Sequence, residues 1–383
     1  MPAFKSRIES ALAERKTQGL NRSMNVVFAG NQSVLEHEGK RYINFSSNDY
    51  LGLANDQALV RAWQQGLSVY GSGSGASPMV TGFSAAHSNL EAALTEWLGY
   101  DRAILFGSGF SANQALLFTL LEKSDVLIQD RLNHASLMEA GALSPAKMKR
   151  FKHNDIEHLK SMINGEDNHL VVTEGVFSMD GDCAPLSDIA EVTRSHDAWF
   201  AVDDAHGIGV LGQSGGGSCE LAKVKPEILI VTFGKAFGMS GAAILCDHAT
   251  GDFLTQFARH HVYSTAMPPA QAYALTHAVS MVQEQSWRRE KLSELSEVYR
   301  DCLSDLEGFV ETQTSIKPFV IGESELALQV AIACRQNGIW VTAIRPPTVP
   351  KGTSRLRITL TANHTNEQVK TLSMALKQAL GAL

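Results

Sequence analysis

A chain of 383 residues, 44% hydrophobic and 19% charged, carries enough apolar side chain for a sizeable core and gives no compositional case for disorder. Its formal charge of -7, with no long basic run, argues against a nucleic-acid surface, and no apolar stretch approaches the roughly 18 residues of a membrane span. The five cysteines (Cys183, Cys219, Cys246, Cys302 and Cys334) are widely spaced and form no Cys-x-x-Cys pair, which disfavours a disulfide framework and a metal site. With an amino terminus that lacks the apolar core of a signal peptide, they make the cytoplasm the expected location.

Along the chain, residues 1–45 are set apart as an N-terminal segment, 46–285 as a large domain and 286–383 as a small C-terminal α+β domain. Ala62 to Val69 has a helical pattern, and the glycine cluster Gly71–Gly75 follows it. That cluster loosely matches a G-x-G-x-x-A dinucleotide fingerprint, but the fingerprint needs a strand before it, not a helix. From about residue 84 to about 245, apolar runs alternate with amphipathic segments. The expected strands are 103–106, 126–128, 169–173, 199–202, 228–231 and 242–246, and the expected helices are 84–98, 111–121, 155–163 and 186–196. Nearly continuous apolar strands separated by helices indicate an α/β fold with a largely parallel sheet covered on both faces. A long helical pattern from Pro269 to Leu306 leads out of it. Strands at 316–321, 338–343 and 356–360 then alternate with helices at 323–336 and 366–380.

The polar residues of interest close these strands. Asp203-Asp-Ala-His-Gly207 follows one, Glu174-Gly-Val-Phe-Ser178 another, and Thr232-Phe-Gly-Lys235 a third. In open α/β sheets the ligand site lies at the strand carboxyl ends. Phe106-Gly-Ser-Gly-Phe110 turns through glycines into a helix, whose first N–H groups suit a phosphate. Taken singly, a lysine in a glycine-bearing turn is most often solvated, an aspartate at a strand end is commonly a helix cap, and a lone histidine is more often structural. The conjunction changes the odds. A lysine able to form a Schiff base, with an aspartate to pair a pyridinium nitrogen, meets the needs of pyridoxal phosphate.

The segments Val202-Asp-Asp-Ala-His-Gly207, Thr232-Phe-Gly-Lys235 and Asn133-His-Ala-Ser136 resemble the α-oxoamine synthases, pyridoxal-phosphate enzymes that join an amino acid to an acyl thioester with loss of carbon dioxide. The similarity runs from Arg22 to Thr361 and includes Asn44–Leu53, Val172–Asp182, Tyr263–Pro269 and Trp340–Pro350. It implies a fold-type I, aspartate aminotransferase-like architecture with a mostly parallel seven-stranded sheet. It also implies an acyltransferase acting on L-alanine and a pimeloyl thioester, carried on coenzyme A or an acyl-carrier protein, in a homodimer with shared active sites.

By the same resemblance Lys235 is the Schiff-base lysine and the base for the Cα proton, and Asp203 the partner of the pyridine nitrogen. His206 and Ser178 bond the ring hydroxyl, and His134 stacks on the ring and polarises the thioester carbonyl. Gly109, Phe110 and Thr232 hold the phosphate, with Ser264 and Thr265 reaching in from the neighbouring subunit. Asn48 and Arg357 take the alanine carboxylate, Arg22 and Thr348 line the acyl path, and Arg345 is divided between that path and a structural ion pair. Many relatives carry an arginine in the glycine cluster that is absent here, so no charged thioester contact is assigned to it. Siblings using glycine or serine share the same core. A serine hydrolase is the remote alternative, because Gly212-Gln-Ser-Gly-Gly216 fits G-x-S-x-G. A non-catalytic protein that keeps only the fold is disfavoured by the four residues Lys235, Asp203, His206 and His134 occurring together.

Overall fold

The computed structural model describes residues 3–165 and 167–381. Strands β1 (Val34–His37) and β2 (Lys40–Asn44) form an antiparallel hairpin turned by Glu38 and Gly39 at φ 50° and 72°. Two left-handed residues give the turn whose twist matches the strands it joins, and glycine adopts it without strain. Seven strands then build the main sheet: β3 (Arg102–Phe106), β4 (Val126–Asp130), β5 (Lys147–Phe151), β6 (His169–Glu174), β7 (Trp199–Asp203), β8 (Ile228–Thr232) and β9 (Ala242–Cys246). Their order is β3-β9-β8-β7-β6-β4-β5. The run from β8 to β5 is parallel, and β9 is antiparallel to both β8 and β3.

β8 shows why such runs become strands. All five residues are buried; Leu229 and Val231 join the apolar cluster on one face, and Ile228 and Ile230 the cluster on the other. A strand covered on both sides needs no polar alternation, and burial of each such side chain contributes about 1.5–3 kcal/mol. β5 escapes a search for apolar runs because Lys147, Lys149 and Arg150 lie on it. It is an edge strand, where charge discourages pairing with another chain.

The expected helix from 269 to 306 is two helices, Pro269–Glu284 and Trp287–Leu303. The break at Gln285 and Ser286 turns Arg288 inward. Only 4% exposed, it donates to Leu51 O at 2.7 Å, Asp56 Oδ2 at 2.6 Å and Gln285 Oε1 at 2.7 Å. The expected strand at 338–343 also divides. After β10 (Ile316–Gly322) and the helix Ser324–Gln336, β11 (Ile339–Trp340) runs parallel to β2, whereas β12 (Thr342–Ile344) pairs with β13 (Ser354–Thr359), which also pairs with β10. The N-terminal hairpin is therefore hydrogen-bonded to a strand from the far end of the chain. One apolar cluster runs on from the main sheet through Phe319, Leu356 and Leu376. Among the described residues no helix is long and apolar enough to cross a membrane.

Candidate active site

Three neighbouring parallel strands stop together, at Glu174 (β6), Asp203 (β7) and Thr232 (β8), and the register sets Glu174 beside Asp203. Beyond their ends lie two adjoining chambers. One, of about 290 Å³, is lined by Gly109, Phe110, Asn113, Glu174, Asp203 and Thr232; the other, of about 270 Å³, by Ser178, Met179, His206, Thr342, Ile344 and Arg357. Asn48, His134 and Lys235 line both.

Lys235 Nζ lies 2.7 Å from His206 Nε2, and His206 Nδ1 lies 2.7 Å from Tyr50 Oη. The lysine donates, so His206 accepts at Nε2 and donates from Nδ1, and Tyr50 donates in turn to Asn48 Oδ1 at 3.3 Å. Arg357 closes the second chamber. Its Nη1 donates to Asn48 Oδ1 at 3.0 Å, its Nη2 to Tyr50 Oη at 3.4 Å and its Nε to the Ser178 carbonyl at 2.6 Å. The charges answer to this crowding. Burial, then Lys235 and Arg357, hold His206 well below its ordinary value. Burial lowers Lys235 to about 8 despite Asp203 and Glu174. Burial and the adjacent Asp203 raise Glu174 well above the usual carboxylate range.

Asp203 is held by two hydrogen bonds. Its Oδ2 accepts from Asn113 Nδ2 at 2.7 Å and its Oδ1 from the Ala205 N–H at 3.1 Å. Asp204, next along the chain, accepts from Ser218 N and Oγ at 2.8 and 2.6 Å, and burial lifts it to about 7. His134 caps the helix Ala135–Leu143, and its Nδ1 accepts from the Ser136 N–H at 3.2 Å, which places the ring proton on Nε2. Asn133 proves structural: its Nδ2 donates to Val172 O at 2.9 Å, and its Oδ1 accepts from Glu174 N at 3.2 Å.

Among the described residues, three buried polar atoms of this cleft have no partner: Thr232 Oγ1, Glu174 Oε1 and Asn113 Oδ1. Buried polar groups are almost always hydrogen-bonded, so a cluster of exceptions marks a site shaped for something polar. Gly109 begins the helix Gly109–Leu120, where the first N–H groups lack intrahelical acceptors, and a Cβ on it would meet Thr232 Cγ2 at 2.6 Å. A phosphate with an attached aromatic ring fits this donor set.

Other expected residues lie elsewhere. Ser264 and Thr265 are exposed and line neither chamber of their own chain, and the same is true of Arg22 and Thr348. Arg345 makes no ion pair among the described residues; its Nη1 donates to Gly19 O at 2.8 Å. The hydrolase reading fails on geometry. Ser214 precedes the short helix Gly217–Ala222, its Oγ donates to Glu220 Oε2 at 3.0 Å and accepts from Trp97 Nε1 at 3.1 Å, and both bonds hold the loop together. The sequence pattern assigns no role to Tyr50, Asn113 or Glu174. Glu174 closes its strand as Asp203 does, a usable signal; Tyr50 is 156 residues from His206, and nothing local announces their contact.

The aminotransferase class I and II family model matches residues 40–376. The chain is 92% identical, over the full length of both chains, to the 8-amino-7-oxononanoate synthase of Vibrio campbellii. The chain belongs to the 8-amino-7-oxononanoate synthases of the class I and II aminotransferase family. Among solved structures it is similar to a lysine-to-alanine variant of serine palmitoyltransferase from S. paucimobilis with a bound PLP–myriocin aldimine, with a TM-score of 0.91 at 27% identity, over 98% of this chain and 97% of that one. It is also similar to an 8-amino-7-oxononanoate synthase from Francisella tularensis, with a TM-score of 0.79 at 29% identity, over 89% of this chain and 98% of that one. The architecture is fold-type I, the cofactor is pyridoxal 5'-phosphate, and the protein is a transferase of this family.

Proposed function

We propose that this chain catalyses the decarboxylative condensation of L-alanine with a pimeloyl thioester, giving 8-amino-7-oxononanoate, carbon dioxide and the free carrier thiol, in biotin biosynthesis. The observation that carries the reading is Lys235, hydrogen-bonded to His206 and lining both chambers of a cleft whose buried donors match the family cofactor. Bound pyridoxal phosphate supplies an electron sink for the pair left at the amino-acid Cα.

The protein's side chains do the rest. Asp203, fixed by Asn113 and Ala205, would keep a proton on the pyridine nitrogen. Thr232 Oγ1, which has no partner among the described residues, with the Gly109 and Phe110 N–H groups at a helix start would hold the phosphate, His206 and Ser178 would bond the ring hydroxyl, and His134 would stack on the ring. Arg357 and Asn48 take the alanine carboxylate, for which the planar guanidinium suits a two-point contact. Lys235 Nζ removes the Cα proton. With its pKa near 8, about a tenth of such amines are free at pH 7, far more than for an ordinary lysine. The His134 Nε2–H donates to the thioester oxygen as negative charge grows there.

Arg22 and Thr348 border the acyl path in this proposal. The support is that Arg345 bonds Gly19, three residues before Arg22, while Thr348 N bonds the Arg345 carbonyl at 3.1 Å and Ile344 lines the second chamber. A homodimer with shared sites accounts for exposed Ser264 and Thr265, and for the exposed apolar side chains Met79, Val80, Phe83, Phe110 and Tyr263 around them. Ser74 Oγ and Ala76 O bond Ala266, which brings those two segments side by side. Residues 46–285 and 286–383 serve as the large and small domains, with the cleft between. The five cysteines are free thiols, which suits a cytoplasmic enzyme.

The test is a panel of amino acids and acyl thioesters with detection of carbon dioxide and thiol. Alanine with a pimeloyl thioester should release both in equal amounts. The resemblance to serine palmitoyltransferase makes serine the strongest competing amino acid, and preference for serine or glycine would overturn the substrate assignment.

A further inference from the structure

The second chamber is bounded by two segments that share no strand: the turn after β4, which carries His134, and the loop Gly175–Cys183, which carries Ser178 and Met179. Between them stands His153. Its Nδ1 lies 3.1 and 3.2 Å from the two carboxylate oxygens of Asp130, at the end of β4, and its Nε2 lies 2.8 Å from Asp182 Oδ2. A carboxylate only accepts, and a neutral imidazole has a single N–H, so serving both acids requires a proton on each nitrogen.

Asn154 doubles the connection, with its N–H on Asp130 Oδ2 at 2.9 Å and its Nδ2 on Asp182 Oδ2 at 3.0 Å. The His153 ring stands edge-on to Phe177, with centroids 4.4 Å apart. Asp130 is fully buried and also shapes the turn towards His134, accepting from Leu132 N at 2.8 Å through Oδ1 and from Asn133 N at 3.2 Å through its carbonyl. On the other side, the Asp182 carbonyl accepts from Phe177 N at 3.0 Å, next to Ser178.

We propose that His153 is a positioning residue: as an imidazolium it fastens the His134 turn to the Ser178 loop and so sets the spacing across the second chamber, where Arg357 and Asn48 lie. The kinetic part of this inference rests on the function proposed above. The charged groups around the ring are Asp130 from β4 and Asp182 from the loop. Asp155, on its own segment, is engaged by the His158 N–H, and Asp180, farther along the loop, is paired with Arg355 of β13. Burial works against the charge on His153, but the hydrogen bonds and charges of Asp130 and Asp182 outweigh it and raise the histidine to about 10. Because the folded value lies above the ordinary one, the contribution is complete below about pH 6.5, shrinks above it, and is lost as pH rises through about 10.

The experiment has two arms. In the cofactor-free protein, nitrogen-15 histidine NMR at about pH 8 should show His153 with both ring nitrogens protonated, where an unperturbed histidine is neutral. In the holoenzyme, His153→Gln and Asp182→Asn should each raise KM for L-alanine, by about tenfold for the first, while kcat stays within about threefold. Wild-type KM should climb as pH approaches about 10, and the His153→Gln profile should lack that limb. A neutral His153 at about pH 8, or wild-type KM and pH profile in both variants even with reduced heat stability, overturns the proposal. Should alanine prove not to be a substrate, the functional reading falls, and the NMR result still decides whether His153 bridges the two carboxylates as an imidazolium.

Discussion

Two buried lysines make an instructive pair. Burial lowers both Lys235 and Lys317 to about 8. Lys317, only 3% exposed on β10, donates to Thr312 O at 2.8 Å, feels the charge of Glu311, and lines a cavity of about 350 Å³ with Tyr299 Oη and Ser315 Oγ, both unpartnered among the described residues. Lys235 touches His206, shares a chamber with Asp203 and Glu174, and follows Thr232, whose hydroxyl has no partner. An unusual pKa is thus shared by the lysine proposed to react and by one with no proposed role. What separates them is the histidine, the two carboxylates and the helix N-terminus gathered round Lys235 at the strand ends, because a perturbed titration and a cavity with unpartnered polar atoms also arise away from such a cluster.

Exchanging the members of this pair tests the contrast. Lys235→Ala should abolish covalent cofactor attachment and cut turnover by about 10³-fold or more, whereas Lys317→Met should leave both within about twofold; steady-state assays with released thiol read the difference. Asp203→Asn keeps the shape of the group but removes the charge facing the pyridine nitrogen. It should lower kcat by about 10²-fold with the cofactor still bound, as followed by absorbance and equilibrium dialysis. Arg357→Lys loses the planar fork that reaches Asn48, Tyr50 and the Ser178 carbonyl, so KM for alanine should rise about tenfold with a smaller change in kcat. Ser214→Ala is the smallest change. It should cost about 1 kcal/mol of stability in thermal unfolding and nothing in activity, and a fluorophosphonate should not label the wild-type protein.

The same contrast shows how much the sequence disclosed. Strands β3, β4 and β6 to β9 stand out because doubly covered strands are written as apolar runs, and Asp203, His206, Thr232 and Lys235 stand out because they close such runs. β5 is hidden by its basic residues, and the break at Gln285 by Arg288, which pattern reading takes for a solvated charge although it is buried against Leu51 and Asp56. Tyr50 and His153 act through contacts with distant parts of the chain, the first with His206 and Arg357, the second with Asp130 and Asp182. Such pairings are products of the fold, with no local spacing that announces them. Glu174 is the intermediate case: its position at a strand end is legible, but its lack of a partner for Oε1 is a property of the packed site.

The central claim is that Lys235, and not the more deeply buried Lys317, is the residue that engages the cofactor. Borohydride reduction of the holoenzyme followed by peptide mass mapping tests it most directly. A single cofactor-sized increment on the peptide containing Lys235 is the predicted result. An increment on the Lys317 peptide, or none on either, would contradict the account.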